Sequence, residues 1–324
     1  MSPPLERLRP HPHRGDVIAA GAVPLALSAV IIELRMTQWS LGPRFAIVLL
    51  VAALLLTMAW LAPLEFDGPR SYHTVLLVSG LLTLLPALLL LAEVLGSSRP
   101  PGSGGLAWTL AAEAVVAGAL ARRTSSGVGT LIAALAGAIA LEAFVAWVFK
   151  PHGLGTFRAI LVALTTALIG GVIRLRDHRR RHAVALVNAA GLLTLVLAGS
   201  FLLTALLTTS TSVPGSPPGR LLAGAAGVAF GWKLYLLAIG FGLVAYAGAD
   251  REPGPAYIGT AVLVAFAVLA GAPAINRGSL VGWPLLLLAL GVAGLVIGLR
   301  PREPLPPEPA TGTAPTVSLD PKDT

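Results

Sequence analysis

The sequence contains no cysteine and few charged residues. Without cysteine there can be no disulfide, no thiolate nucleophile and no cysteine-ligated metal, and the compartment cannot be inferred from redox chemistry. Charged residues make up only 12% of the chain, whereas a soluble domain usually carries about 25%. This deficit excludes an ordinary soluble globular protein.

The sequence has instead a series of continuous apolar runs, and 55% of its residues are hydrophobic. Each run is long enough to cross a hydrocarbon core of ~30 Å as a helix. Helices are expected because lipid offers no hydrogen-bond partners to the backbone. The sequence therefore predicts an all-α polytopic transmembrane bundle of about ten spans, at residues 17–34, 45–63, 73–96, 105–121, 127–149, 156–174, 183–207, 230–249, 256–275 and 280–299.

The predicted bundle occupies residues 17–300 and lies between two polar tails. Residues 1–16 are expected to form a cytoplasmic tail. The first apolar run is interpreted as an uncleaved span, because no small-x-small cleavage site followed by a soluble domain is found. Residues 301–324 are rich in proline and threonine. They are expected to be a disordered cytoplasmic tail with polyproline-II character.

The distribution of basic residues predicts the orientation of the chain. Most of the lysines and arginines fall on one side of the predicted bundle, above all in the short loop "RLRDHRRRH" at 174–182. The positive-inside rule places that side, with both termini, in the cytoplasm of a plasma-membrane protein. All tryptophans except Trp60 fall at predicted outer ends, where indole rings favour the interface. The pI near 10.7 is thus explained by topology, and no nucleic-acid partner is expected.

Two stretches of the chain resemble each other at a spacing of four spans. "HTVLLVSGLLTLLP" from His73 matches "HAVALVNAAGLLTLVL" from His182, and the following spans keep the same order of features. We predict a parallel four-helix repeat, residues 73–176 and 182–302, formed by spans three to six and seven to ten. The second span begins "LGPRFAIVLLVAALL" and the sixth "LGTFRAILVALTTAL". The first two spans are therefore predicted to be a half-repeat, similar to spans five and six.

Carboxylic acids inside the predicted spans are the strongest functional candidates, since a charge at the centre of a membrane helix costs about 2.5–3.5 kcal/mol. Glu113 lies nine residues before Arg122, roughly 13 Å from the cytoplasmic end. Glu142 lies eight residues before Lys150, roughly 12 Å below the outer end. Both are candidates for proton or cation coupling, as two stations of a relay. The alternative is that they are neutral acids hydrogen-bonded to a neighbouring helix.

Three further polar residues are weaker candidates. Glu33 and Glu93 lie close to predicted outer ends, where a carboxylate can reach the lipid headgroups, and Arg35 is near Glu33 in sequence. In the aligned half-repeat, Glu33 falls close to the position of Glu142. Asn188 is a candidate for polar contacts between repeats, although packing explains such a residue equally well.

No motif for catalysis or for cofactor binding is found. The histidines form no H-E-x-x-H, and there is no phosphate-binding loop, dinucleotide fingerprint or nucleophile elbow. We therefore expect no metal, no cofactor and no catalytic residue, and we expect the protein not to be an enzyme. The expected partners are the lipid bilayer, a small solute or proton, and proteins that bind the tails.

The C-terminal part of the chain resembles a group of known sequences. "GWKLYLLAIGFGLVAYAGADREPGPAYIGTAVLVAFAVLAG", followed by "GSLVGWPLLLLALGVAGLVIGLRPREPLPPEP", is similar to uncharacterised polytopic membrane proteins of high-GC actinobacteria. This resemblance implies a membrane fold and no particular activity. Two functions stay open, a small-solute transporter or permease with proton coupling and a non-catalytic membrane scaffold or assembly subunit. A membrane enzyme acting on lipid-linked substrates is a more distant third.

Overall fold

The computed structural model describes residues 10, 14–36, 38–63, 71–209 and 228–277, without the side chains of 205–209 and 271–277. Regular structure within these ranges is entirely helical, and it comprises α1 (Gly15–Arg35), α2 (Leu41–Leu61), α3 (Ser71–Val94), α4 (Ser103–Thr124), α5 (Gly127–Phe149), α6 (Leu154–Leu175), α7 (Arg180–Thr209), α8 (Phe230–Asp250) and α9 (Pro253–Arg277). The chain divides into two units, Met1–Asn276 and Arg277–Thr324, and nearly all described residues belong to the first.

The predicted fold class is confirmed over the described part of the chain. All nine described helices are long and apolar enough to cross a membrane, by length and composition, and this architecture fits an integral, multi-pass membrane protein. The predicted tenth span, 280–299, and the C-terminal tail, 301–324, lie outside the described residues. So does most of the predicted N-terminal tail, 1–16.

Several helices begin earlier than the apolar runs indicated. α3 begins at Ser71 instead of 73, and α7 begins at Arg180 instead of 183. The apolar run marks only the part of a helix that suits hydrocarbon, whereas the helix itself continues into polar surroundings. Long basic side chains can join the first turn because their charged ends reach away from the apolar layer.

The packing of the first four helices recurs in the next four. α3 packs against both α1 and α2 and continues to α4, while α7 packs against both α5 and α6 and continues to α8. An apolar core lies among α1, α2, α3 and α4, with Val48, Leu55, Leu76 and Leu81 at its centre. This recurrence supports the predicted parallel repeat, which stays a prediction because its last span lies outside the described residues.

The turns that join α4 to α5 and α8 to α9 also have the same geometry. Ser125 ends α4 in the left-handed conformation at φ 52°, and Arg251 ends α8 at φ 54°. The backbone N–H of the next residue then donates to a carbonyl oxygen five residues earlier. Ser126 donates to the Ala121 carbonyl and Glu252 donates to the Ala247 carbonyl, each at 3.2 Å. This six-to-one bond satisfies a carbonyl that the helix end leaves without a partner. Both helix hairpins are thereby closed in the same way.

Candidate functional site

Glu33 belongs to an ion-pair cluster at one end of α1 and α2. The Arg44 guanidinium donates to Glu33 Oε2 at 2.6 Å and to the Glu33 carbonyl at 2.9 Å. Arg99, from the α3–α4 loop, donates to Glu33 Oε1 at 2.7 Å and lies 3.5 Å from Glu93. Arg35, which is only two residues from Glu33, is exposed. Residues two apart in a helix do not face each other, so this neighbour in sequence is not placed to pair with Glu33. Both carboxylate oxygens of Glu33 are therefore neutralised by cations from elsewhere in the fold.

Glu113 is buried within α4, with only 4% of its surface exposed. Its Oε2 has no hydrogen-bond partner among the described residues. Thr109 and Ala117, one turn away on either side, are fully buried, so this face of α4 packs against protein. None of the five cavities described reaches Glu113. Its predicted role in proton or cation coupling stays a prediction.

Glu142 lines a cavity of about 600 Å³ between α5, α6 and α7, which we call the Glu142 cavity. The carboxyl Oε1 is buried and has no hydrogen-bond partner among the described residues. All other described side chains that line this cavity are apolar, among them Ile139, Phe157, Leu161 and Leu193. Glu142 is thus the single polar group in an apolar space large enough for a drug-sized molecule.

Arg158, which is not among the candidates predicted from the sequence, follows Phe157 of this cavity. Its guanidinium donates to Ser200 Oγ at 3.0 Å and to Thr204 Oγ1 at 2.8 Å, and it lies 3.9 Å from the centre of the Phe201 ring. The cation therefore ties α6 to α7. A signal for this arrangement was present in the "LGPRF" and "LGTFR" pair, in which the arginine moves by one position.

Asn188 lies in a different part of the fold. It lines a cavity of about 600 Å³ together with Ser126, Arg180 and Arg181, and its Oδ1 has no hydrogen-bond partner in the described part of the chain. Of the five candidate residues, only Glu142 and Asn188 line a cavity described here, and they line different ones. The structure thus brings Glu33 and Glu93 together on Arg99, but it does not gather the five candidates into one site.

The basic loop after α6 is tied to the end of α8. Arg176 donates to Asp250 at 2.8 Å, and this hydrogen bond raises the pKa of Arg176 above its ordinary value. The Arg176 guanidinium also lies 5.8 Å from the Tyr246 ring centre, and Arg180 donates to the Asp250 carbonyl. These contacts hold positive charge at one end of the helices, where the sequence predicts the cytoplasmic surface.

Within the described residues, no three histidine or acidic side chains come together in a group that could hold a metal ion. Comparison of the chain with protein-family models, with curated proteins and with solved structures returns no match. Any functional proposal therefore rests on the residues and the geometry of this chain alone.

Proposed function

We propose that this protein carries a small solute across the plasma membrane, coupled to protons, and that the Glu142 cavity is where the solute binds. The observation that carries this proposal is a carboxyl group with a buried Oε1 that lacks a hydrogen-bond partner and lines an apolar cavity among three helices. Ionisable groups within a membrane are costly, and they commonly mark substrate or proton pathways. A structural role alone would be expected to provide such a carboxyl with a partner.

Glu113 is proposed as a second station, which holds a proton away from the cavity. It is buried on α4, which packs extensively against the helix that carries Glu142. A buried acid that lacks a partner at one oxygen can exchange a proton when neighbouring helices shift. No chemical conversion of the solute is part of this proposal, and none of its steps needs a metal or a cofactor.

The proposed orientation places both termini in the cytoplasm. The arginines of the loop after α6 support this orientation, because basic loops are retained on the cytoplasmic side. The tryptophans at the opposite helix ends, such as Trp147 in the last turn of α5, fit a membrane interface there but do not distinguish the two sides. The membership in an actinobacterial membrane family, implied by the C-terminal resemblance, is likewise a proposal.

Solute-driven proton movement tests the transport proposal. The purified protein is reconstituted into vesicles that contain a pH-sensitive dye, and gradients of a sugar, a neutral amino acid and a quaternary ammonium ion are imposed in turn. We expect at least one gradient to change the internal pH faster than in protein-free vesicles. Glu142→Gln and Glu113→Gln should each abolish this change, because neither amide exchanges a proton.

Asp16→Asn is the control, since Asp16 is an exposed acid in the first turn of α1. This variant should behave like the wild type. If no imposed gradient changes the internal pH beyond the rate in protein-free vesicles, the transport proposal is wrong.

A non-catalytic scaffold is the second candidate, and one observation favours it. Glu113 lines none of the cavities described, as expected of an acid used only for packing. In a scaffold, Glu113→Gln would change the stability of the protein while vesicles containing the wild type would show no solute-driven proton movement. The vesicle experiment therefore separates the two candidates.

A further inference from the structure

The Glu142 cavity has an unusual combination of lining groups, which limits what it can bind. Among the described residues, its wall is apolar except for one carboxyl group. A metal ion would need about six oxygen ligands, and an anion would be repelled by the carboxylate. A neutral apolar molecule would fill the space but leave the Glu142 carboxylate without a compensating positive charge, which is costly in a buried place. A cation with an apolar body meets both requirements.

The first helices of the chain show what such a carboxyl group pairs with in this fold. α1 and α2 pack with α3 as α5 and α6 pack with α7. In the first set, Glu33 of α1 receives the Arg44 guanidinium of α2 at 2.6 Å. In the second set, Glu142 of α5 faces α6 across the cavity. In the first set, a guanidinium is therefore the group that pairs with the carboxylate.

The second set differs from the first at the position of this guanidinium. When "LGPRF" is aligned with "LGTFR", Phe157 takes the position of Arg44, and Phe157 is among the residues that line the Glu142 cavity. The arginine one position later, Arg158, donates to Ser200 and Thr204 on α7. In this alignment Glu33 falls opposite Ala146, one helical turn after Glu142. Near that place the second set therefore has an aromatic ring beside an open space of about 600 Å³ instead of an internal cation.

We infer that the Glu142 cavity binds an amphiphilic organic cation, in which an ammonium, guanidinium or phosphonium group lies against the Glu142 carboxylate and an apolar body fills the cavity. Phe157 adds aromatic surface, which favours cations as well as apolar groups. This inference rests on the proposed function and deepens it, because it names the chemical class of the transported solute. It is tested by binding alone, so its outcome does not depend on whether transport occurs.

The test uses tetraphenylphosphonium as the probe and equilibrium binding to the purified protein in lipid nanodiscs. We expect saturable binding by the wild type below about 1 mM. Glu142→Gln should weaken binding at least about tenfold, since it removes the one negative charge among the described residues that line the cavity. Triphenylphosphine oxide, which is neutral and carries three phenyl groups instead of four, should bind more weakly than the cation and should depend much less on Glu142.

Two further variants separate loss of the site from loss of the fold. Phe157→Arg should give Glu142 an internal guanidinium, as Arg44 does for Glu33, and should abolish probe binding while the protein stays folded. Ile139→Trp should reduce binding by filling the cavity, because Ile139 lines the cavity and is half-exposed. Asp16→Asn should bind the probe like the wild type.

Each outcome decides a separate point. If the wild type shows no saturable binding, or if Glu142→Gln and Ile139→Trp bind the probe as well as the wild type does, the inference is overturned and the cavity is only a lipid-filled groove. If the probe binds as expected but no gradient drives proton movement in vesicles, only the transport proposal fails. If gradients of other solutes drive proton movement and the probe does not bind, only the cation inference fails.

Discussion

Arg44→Met is expected to lower the free energy of unfolding by about 3 kcal/mol, because it leaves a largely buried carboxylate without its closest cation. Arg44 is 3% exposed and its guanidinium lies 2.6 Å from Glu33 Oε2. Arg99 stays on the other carboxylate oxygen, but its side chain is 42% exposed, so it contributes less. Arg44 also donates to the Glu33 carbonyl in the last turn of α1, where a cation is favoured. The measurement is equilibrium unfolding in mixed micelles.

A double-mutant cycle isolates the pair from other effects of the substitution. Glu33→Leu combined with Arg44→Met should be less destabilised than Arg44→Met alone, since an apolar pair of similar size often replaces a buried ion pair at little cost. Arg35→Met is the matched control, because Arg35 is exposed in the same turn, and its effect should stay within about 0.5 kcal/mol. A loss of less than about 1 kcal/mol for Arg44→Met would show that the pair acts like an exposed one.

Gly259→Ala is expected to lower the free energy of unfolding by about 2–3 kcal/mol, because α8 and α9 approach too closely there for a side chain. A Cβ atom at Gly259 would lie 2.8 Å from the Gly240 carbonyl oxygen and 2.9 Å from Leu243 Cβ. Neither atom can rotate away, so the helices must separate. The loss of packing should be visible as a lower midpoint in the same micelle titration.

Two other glycines provide a graded comparison. A Cβ atom at Gly129, where α5 crosses α4, would lie 3.1 Å from Ala121 Cβ, so Gly129→Ala should cost only about 1 kcal/mol. Gly248 has no neighbouring atom within 4 Å, and Gly248→Ala should leave the stability unchanged or slightly raise it, since alanine favours the helix. Equal effects at the three positions would contradict the crossing geometry.

The number and nature of the helices could be predicted from the sequence because lipid imposes a simple rule. Every backbone polar group in hydrocarbon must be satisfied within its own segment, so a long apolar run becomes a helix. This rule accounts for α5, which matches its predicted span of 127–149. It does not locate helix ends outside the apolar layer, which is why α7 begins at Arg180 instead of 183.

The candidate site could be predicted only in part, because depth along a helix is visible in the sequence and facing direction is not. Glu113 and Glu142 were both expected at depth, but in the structure Glu113 packs against protein whereas Glu142 lines a cavity. Sequence proximity suggested Arg35 for Glu33, and the fold supplies Arg44 and Arg99 instead.

The sequence by itself determined that this chain forms apolar helices, where basic charge accumulates, and which acids lie within the apolar helices. Only the tertiary structure decided which acid is neutralised and which is left facing an open space. The physical reason is that an ion pair depends on the relative rotation and spacing of whole helices, as between α1 and α2, and many residues outside the pair set that arrangement. Thus Glu33 lies in a closed contact with Arg44, whereas Glu142 lines a cavity beside Phe157, the residue that aligns with Arg44.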